Sequence, residues 1–107
     1  MIVEKWMKKT PHTIKPRDTI EHARQVMEQH RINQLPVVHA NELVGIVTDR
    51  DVRTVADART TVDAVMTPAP ATVGPDTPVE VAATTLRQRK IGALPVVDEH
   101  ALVGIVS

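Results

Sequence analysis

One stretch of this chain is written twice. Displaced by 59 positions, Ile32–Val47 (INQLPVVHANELVGIV) falls on Ile91–Val106 (IGALPVVDEHALVGIV) without a gap. Over the full overlap, Val3–Thr48 on Val62–Ser107, about 18 of 46 positions are identical, where chance gives roughly 3. Most of the rest exchange like for like, as Ile14/Val73, Ile20/Val79, Met27/Leu86 and Thr48/Ser107 do. The chain is therefore a tandem duplication, with copies at residues 1–59 and 60–107. A copy of ~60 residues buries too little surface to stand comfortably alone. The copies are expected to share a core or a face, and function is expected in the matched clefts between them.

Composition narrows the classes of function. With 107 residues the chain is one compact domain or two very small fused ones. It has no Phe or Tyr and a single Trp, Trp6, so the core must be built from Val, Ile, Leu, Ala and Met. Net charge is zero and acids and bases are interspersed, which argues against nucleic acid as a partner. No apolar run approaches the ~20 residues that cross a membrane. Charges at Glu4, Lys5, Lys8 and Lys9 interrupt any leader-like stretch, and a cytoplasmic setting fits. The absence of Cys excludes disulfides, thiolate chemistry and zinc–thiolate sites. His12, His22, His30, His39 and His100 show no metal-binding spacing, the only Ser is Ser107, and no phosphate-binding glycine loop occurs. No catalytic or metal-ligating residue is nominated.

Each copy has the same grammar. Val3, Trp6 and Met7, and then Val62, Val65 and Met66, follow the i, i+3, i+4 spacing of one or two helical turns. Prolines stop that segment at Pro11 and Pro16, and at Pro68, Pro70 and Pro75; between them His12–Ile14 and Ala71–Val73 are expected to be extended. A helix follows. Asp18 with Glu21, and Thr77 with Glu80 and Pro78, predict capping boxes. Ile20, Ala23, Val26, Met27 and His30 mark its inner face, matched by Val79, Ala82, Ala83 and Leu86, and it should end near Arg31 or Lys90. Leu35–Val38 and Leu43–Val47 predict two strands joined by the polar turn His39–Glu42, which Asp98–Ala101 repeats. Thr48 or Asp49 should cap a closing helix with Val52, Val55 and Ala56 inward, and Asp57–Thr60 should link the copies. The second copy reaches Ser107 without that helix, which leaves open whether these residues belong to something longer.

In order and at fixed offset, these motifs resemble the CBS domain pair, a tandem module named after cystathionine β-synthase. The resemblance rests on the Val-x-x-x-Met opening and on Thr13-Ile14 and Thr72-Val73 ahead of Pro16 and Pro75. It rests further on Leu-Pro-Val-Val in both copies and on Leu-Val-Gly-Ile-Val followed by Thr48-x-x-Asp51. It spans nearly the whole chain. It implies an α/β (α+β) fold of two βαββα repeats related by a pseudo-two-fold axis, strands packed against helices. It further implies a regulatory module rather than an enzyme, binding AMP, ADP, ATP or S-adenosylmethionine between the repeats. A homodimer and a regulated effector protein or domain would be its partners. Some such pairs bind no ligand and serve as assembly surfaces, which is the alternative.

By the same resemblance, one cleft would use Thr48, Arg50 and Asp51 with Ala71, Ile91, Ala93, Leu94 and Pro95. A second would use His12, Ile32, Gln34, Leu35 and Pro36 with Ser107, where the acid that should follow three residues later is missing. The chemistry suits the residues. An ionised Asp offers two acceptor oxygens to adjacent ribose hydroxyls, Arg50 can take phosphate oxygens in pairs, and Ile91, Leu94 and Pro95 can wall an adenine. A helix start also favours an anion. The plainer reading of Asp51 and Thr48 is a helix-start acid and its cap, and both readings stand at this point. Ala93 lacks the basic side chain that members gripping di- or triphosphates often carry there.

Overall fold

Apolar runs too short for helices and a periodic segment between them sort into a repeated series of elements. The computed structural model describes residues 1–107. A 3₁₀ turn at Val3–Lys5 precedes β1 (Lys8–Lys9), α1 (Ile20–His30), β2 (Gln34–His39), β3 (Glu42–Thr48) and α2 (Asp49–Arg53). The second copy gives a 3₁₀ turn at Val62–Ala64, β4 (Thr67–Pro68), α3 (Val79–Arg89), β5 (Leu94–Asp98) and β6 (Ala101–Val106). The fold is mixed α+β, with every named strand pair antiparallel.

Two compact units emerge, and they are not the two copies. One is His12–Ala69; the other joins Met1–Pro11 to Pro70–Ser107. The opening segment of each copy thus belongs to the unit built mainly by the other.

In the His12–Ala69 unit, β3 lies between β2 and β4. Leu35, Val37 and Val47 from the hairpin meet Ile20, Ala23 and Met27 from α1, with Val52 and Val62, in one buried cluster. That is the α1 face expected from the periodicity, except that His30 is exposed. A fully buried aliphatic side chain such as Leu35 stabilises the unit by roughly 1.5–3 kcal/mol. Val37 pairs with Gly45 and Val38 with Leu43, so Val44 is an extra residue, a bulge that turns its side chain against the cluster. Gly45 is required by a close approach: a Cβ there would stand 2.5 Å from Met66 Sδ and 3.0 Å from the Thr67 carbonyl oxygen.

The Met1–Pro11/Pro70–Ser107 unit repeats this plan. β6 lies between β5 and β1, and Val3, Ala82, Leu94 and Val96 form the buried cluster. Gly104 sits against Met7 as Gly45 sits against Met66. The Val-x-x-x-Met opening therefore places its Met on the glycine of a Leu-Val-Gly-Ile-Val strand from the other copy.

The openings are helical as expected, each a single 3₁₀ turn. Several local expectations are corrected. The extended segments before the helices shrink to single parallel bridges, Ile14 to Val37 and Val73 to Val96. Neither capping box forms. Thr19 caps α1, its hydroxyl accepting from the His22 N–H at 3.1 Å, while Asp18 accepts from the Lys15 N–H at 2.9 Å in the turn before. Thr77 likewise accepts from the Gly74 N–H at 3.0 Å, and Pro78 is the N-cap residue of α3 rather than its first helical position. The reason is competition for donors. The Ile20 and Glu21 N–H groups donate to the Thr60 and Ala58 carbonyls, and the Val79 N–H donates to the Met1 carbonyl. An incoming backbone segment satisfies what a side-chain box would have.

The closing helix α2 has only five residues, with Val52 buried, Val55 half-buried and Ala56 exposed. Arg24, unremarked in the sequence, ends it by donating to the Val52 and Val55 carbonyls at 2.5 and 2.9 Å. The linker then folds into a turn at Asp57, whose carboxylate accepts from the Arg59 backbone N–H and then its side chain; both hold the acid below its ordinary pKa.

Candidate ligand-binding residues

Thr48 and Asp51 are brought together by a short-range device. The Thr48 side chain accepts from the Asp51 N–H at 3.2 Å, and Asp51 Oδ2 accepts from the Thr48 N–H at 2.9 Å, a complete capping box at the start of α2. The plainer reading of this pair is therefore realised. It does not use up the carboxylate: the hydrogen bond reaches one oxygen, and Asp51 is only half-buried. Arg50, between them, is exposed and makes no hydrogen bond or ion pair.

The hairpin positions the neighbours of this corner. Gln34 pairs across the strands with Thr48, and the Asn33 carbonyl accepts from the Asp49 N–H at 2.9 Å. Asn33 was not singled out from the sequence, and nothing in its side chain could have signalled a backbone contact. Ile32 is half-buried on the apolar cluster. Leu35 and Pro36 are fully buried, and the Pro36 carbonyl is taken by the Ile14 N–H. Neither Leu35 nor Pro36 offers its side chain to a ligand. His12 is exposed, and its ring stacks on His30 with centroids 3.6 Å apart, so one face is already covered.

The other unit holds the remaining candidates. Ala71 is half-buried against its cluster, and Ile91 is exposed just past the end of α3. Ala93, Leu94 and Pro95 are buried, and the Pro95 carbonyl accepts from the Val73 N–H at 3.1 Å. The expected adenine wall of Ile91, Leu94 and Pro95 thus reduces to Ile91, because the strand start is consumed by the core and by the bridge to Val73. Ser107 is exposed beyond Val106.

Comparison with known proteins agrees with this architecture. A family model described as the CBS domain matches residues 3–58 and 62–107. The chain is 42% identical over 96 residues to the inosine-5′-monophosphate dehydrogenase of Korarchaeum cryptofilum, covering 89% of this chain and 20% of that enzyme. It therefore spans about a fifth of the length of that relative. A solved CBS domain pair, of protein MJ0100 in complex with 5′-methylthioadenosine and S-adenosyl-L-methionine, has a TM-score of 0.92 at 33% identity and covers 100% of this chain and 89% of that one. CBSX2 from Arabidopsis thaliana, solved in complex with AMP, has a TM-score of 0.90 at 30% identity, covering 99% of this chain and 89% of that one. No helix is long and apolar enough to cross a membrane.

Proposed function

Because the chain belongs to the CBS domain family, as two tandem copies, we propose that it is a regulatory module that binds an adenosine-containing ligand with residues drawn from both copies. The observation that carries this is the pair of similar domains solved with such ligands, one with 5′-methylthioadenosine and S-adenosyl-L-methionine and one with AMP. The local geometry adds to it. Asp51 is fixed by its cap and keeps one carboxylate oxygen for a ribose hydroxyl, beside a free guanidinium at Arg50.

In this reading Thr48, Arg50 and Asp51 meet the ligand together with Ala71 and Ile91. His12, Ile32, Gln34 and Ser107 belong to a second, weaker set. AMP, ADP, ATP and S-adenosylmethionine are the ligands to compare. The module does no covalent chemistry. A ligand touching both copies shifts the population toward the arrangement it binds better, by no more than its differential affinity, and passes that bias to an effector protein or domain. The working form is a homodimer.

Isothermal titration of each ligand into the chain and into Asp51→Asn tests the assignment. Asn keeps an acceptor for the Thr48 N–H but loses the charge, so affinity should fall by about tenfold. Equal affinity removes Asp51 from the site. No heat and no rise in melting temperature with any of the ligands overturns the reading. That outcome would favour the second one, a ligand-free assembly module, for which Trp6 at 63% and Val81 at 50% exposure supply apolar surface.

A further inference from the structure

Peroxide chemistry has few targets in this chain. There is no Cys, so two-electron oxidation falls first on the thioethers of Met1, Met7, Met27 and Met66. These sulfurs stand in three different settings. Met1 is 73% exposed, and Met27 is 6% exposed within its core cluster. Met7 and Met66, 59 positions apart, are half-buried, and each packs its Sδ on a strand glycine of its own unit. A Cβ at Gly45 would stand 2.5 Å from Met66 Sδ, and one at Gly104 would stand 2.5 Å from Met7 Sδ. The same two points lie 3.0 Å from the Thr67 carbonyl oxygen and 3.1 Å from that of Lys8. Both side chains also pack against the apolar cluster of their unit.

We propose that Met7 and Met66 are paired sites of reversible oxidation by hydrogen peroxide, and that the sulfoxide releases each opening segment from its strand. A lone pair on Sδ attacks one peroxide oxygen; the S–O bond forms as the O–O bond breaks, and the other oxygen leaves as water. Sulfur is oxidised by two electrons and the peroxide is reduced. The product is a larger, polar head with an acceptor oxygen. Toward the glycine there is no room for that oxygen: the gap is too narrow for one Cβ, and a backbone carbonyl, itself an acceptor, forms its far wall. Toward the cluster it meets aliphatic side chains. An oxygen added on the open side still makes the sulfur one pole of a strong dipole, which water solvates better than a glycine and an apolar cluster do. The side chain swings outward, and β4 loses its anchor on β3, or β1 its anchor on β6. Each of these strands has two residues, so its own ladder holds it weakly. Because each opening segment packs in the unit built mainly by the other copy, oxidation loosens the tie between copies. This inference does not depend on the nucleotide reading.

The intact chain is treated with graded hydrogen peroxide, and each Met is followed by peptide mass spectrometry. Met1 should oxidise first, Met7 and Met66 next, and Met27 at least about tenfold more slowly than those two. With Met7 and Met66 oxidised, hydrogen exchange should quicken by about tenfold or more at Lys8–Lys9 and at the Ala69 N–H, which donates to the Val44 carbonyl, while α1 stays protected. The two methionine sulfoxide reductases, one for each epimer, should restore the protection. A chain with Met7→Leu and Met66→Leu should keep its protection at the same dose. A chain carrying norleucine for Met, which keeps the shape without the sulfur, should do the same. Four results overturn the proposal: unchanged exchange in a chain oxidised at Met7 and Met66, equal loss in the Leu or norleucine chain, loss that the reductases do not reverse, or Met27 oxidising in step with Met7 and Met66.

Discussion

Eight residues that are not glycine hold a left-handed backbone, and they form four pairs 59 positions apart: Thr10/Ala69, Arg31/Lys90, Ala40/Glu99 and Asn41/His100. Arg31 and Lys90, both at φ 53, end α1 and α3, where a left-handed residue lets the last carbonyls be met. Ala40–Asn41 and Glu99–His100 are two-residue hairpin turns with positive φ at both positions, the geometry that Asn-Gly fits best. The polar turns were legible in the sequence; their handedness was not, because no glycine marks them. An L-residue there is strained by about 1–2 kcal/mol. Replacing Glu99→Asn together with His100→Gly should stabilise the chain by about 1–2 kcal/mol, read as a higher urea midpoint with an unchanged slope. A lowered midpoint would show that this strain is already relieved by the neighbours.

At the scale of elements, helix faces and hairpins followed from periodicity, since Ile20, Ala23 and Met27 did turn inward and the turns fell where expected. Caps and ends did not. They are decided by backbone from distant sequence, as the Thr60 carbonyl at Ile20 shows, and no local pattern carries that information. Arg24 is the exception that a closer comparison could have found. The first copy has an arginine at a position where the second has Ala83, and that arginine holds α2. Arg24→Ala should remove two charge-assisted bonds to α2 and destabilise the chain by about 1.5–3 kcal/mol. Hydrogen exchange should show the loss confined to residues 49–55, with β2 and β3 still protected. Uniform loss of protection would mean that α2 is not a separately held element.

For the whole molecule, duplication was evident and its packing was not. Identity at offset 59 aligns copies by descent, whereas Met7 on Gly104 and Met66 on Gly45 show that opening segments serve the unit built by the other copy. The chain cannot be divided near residue 60 without parting β1 from β6 and β4 from β3. The candidate site was legible only in part. Thr48 and Asp51 were found together as their spacing implied, but Leu35, Leu94 and the two prolines at the strand starts are core, because a strand start that bridges a preceding segment has no free face. The central claim is that one adenosine ligand touches both copies. A titration of AMP into labelled chain, followed by amide NMR, tests it most directly. The signals of Thr48–Asp51 and of Ile91–Leu94 should move together along one binding curve. Shifts confined to one copy, or none at saturating AMP, ADP, ATP and S-adenosylmethionine, would contradict it.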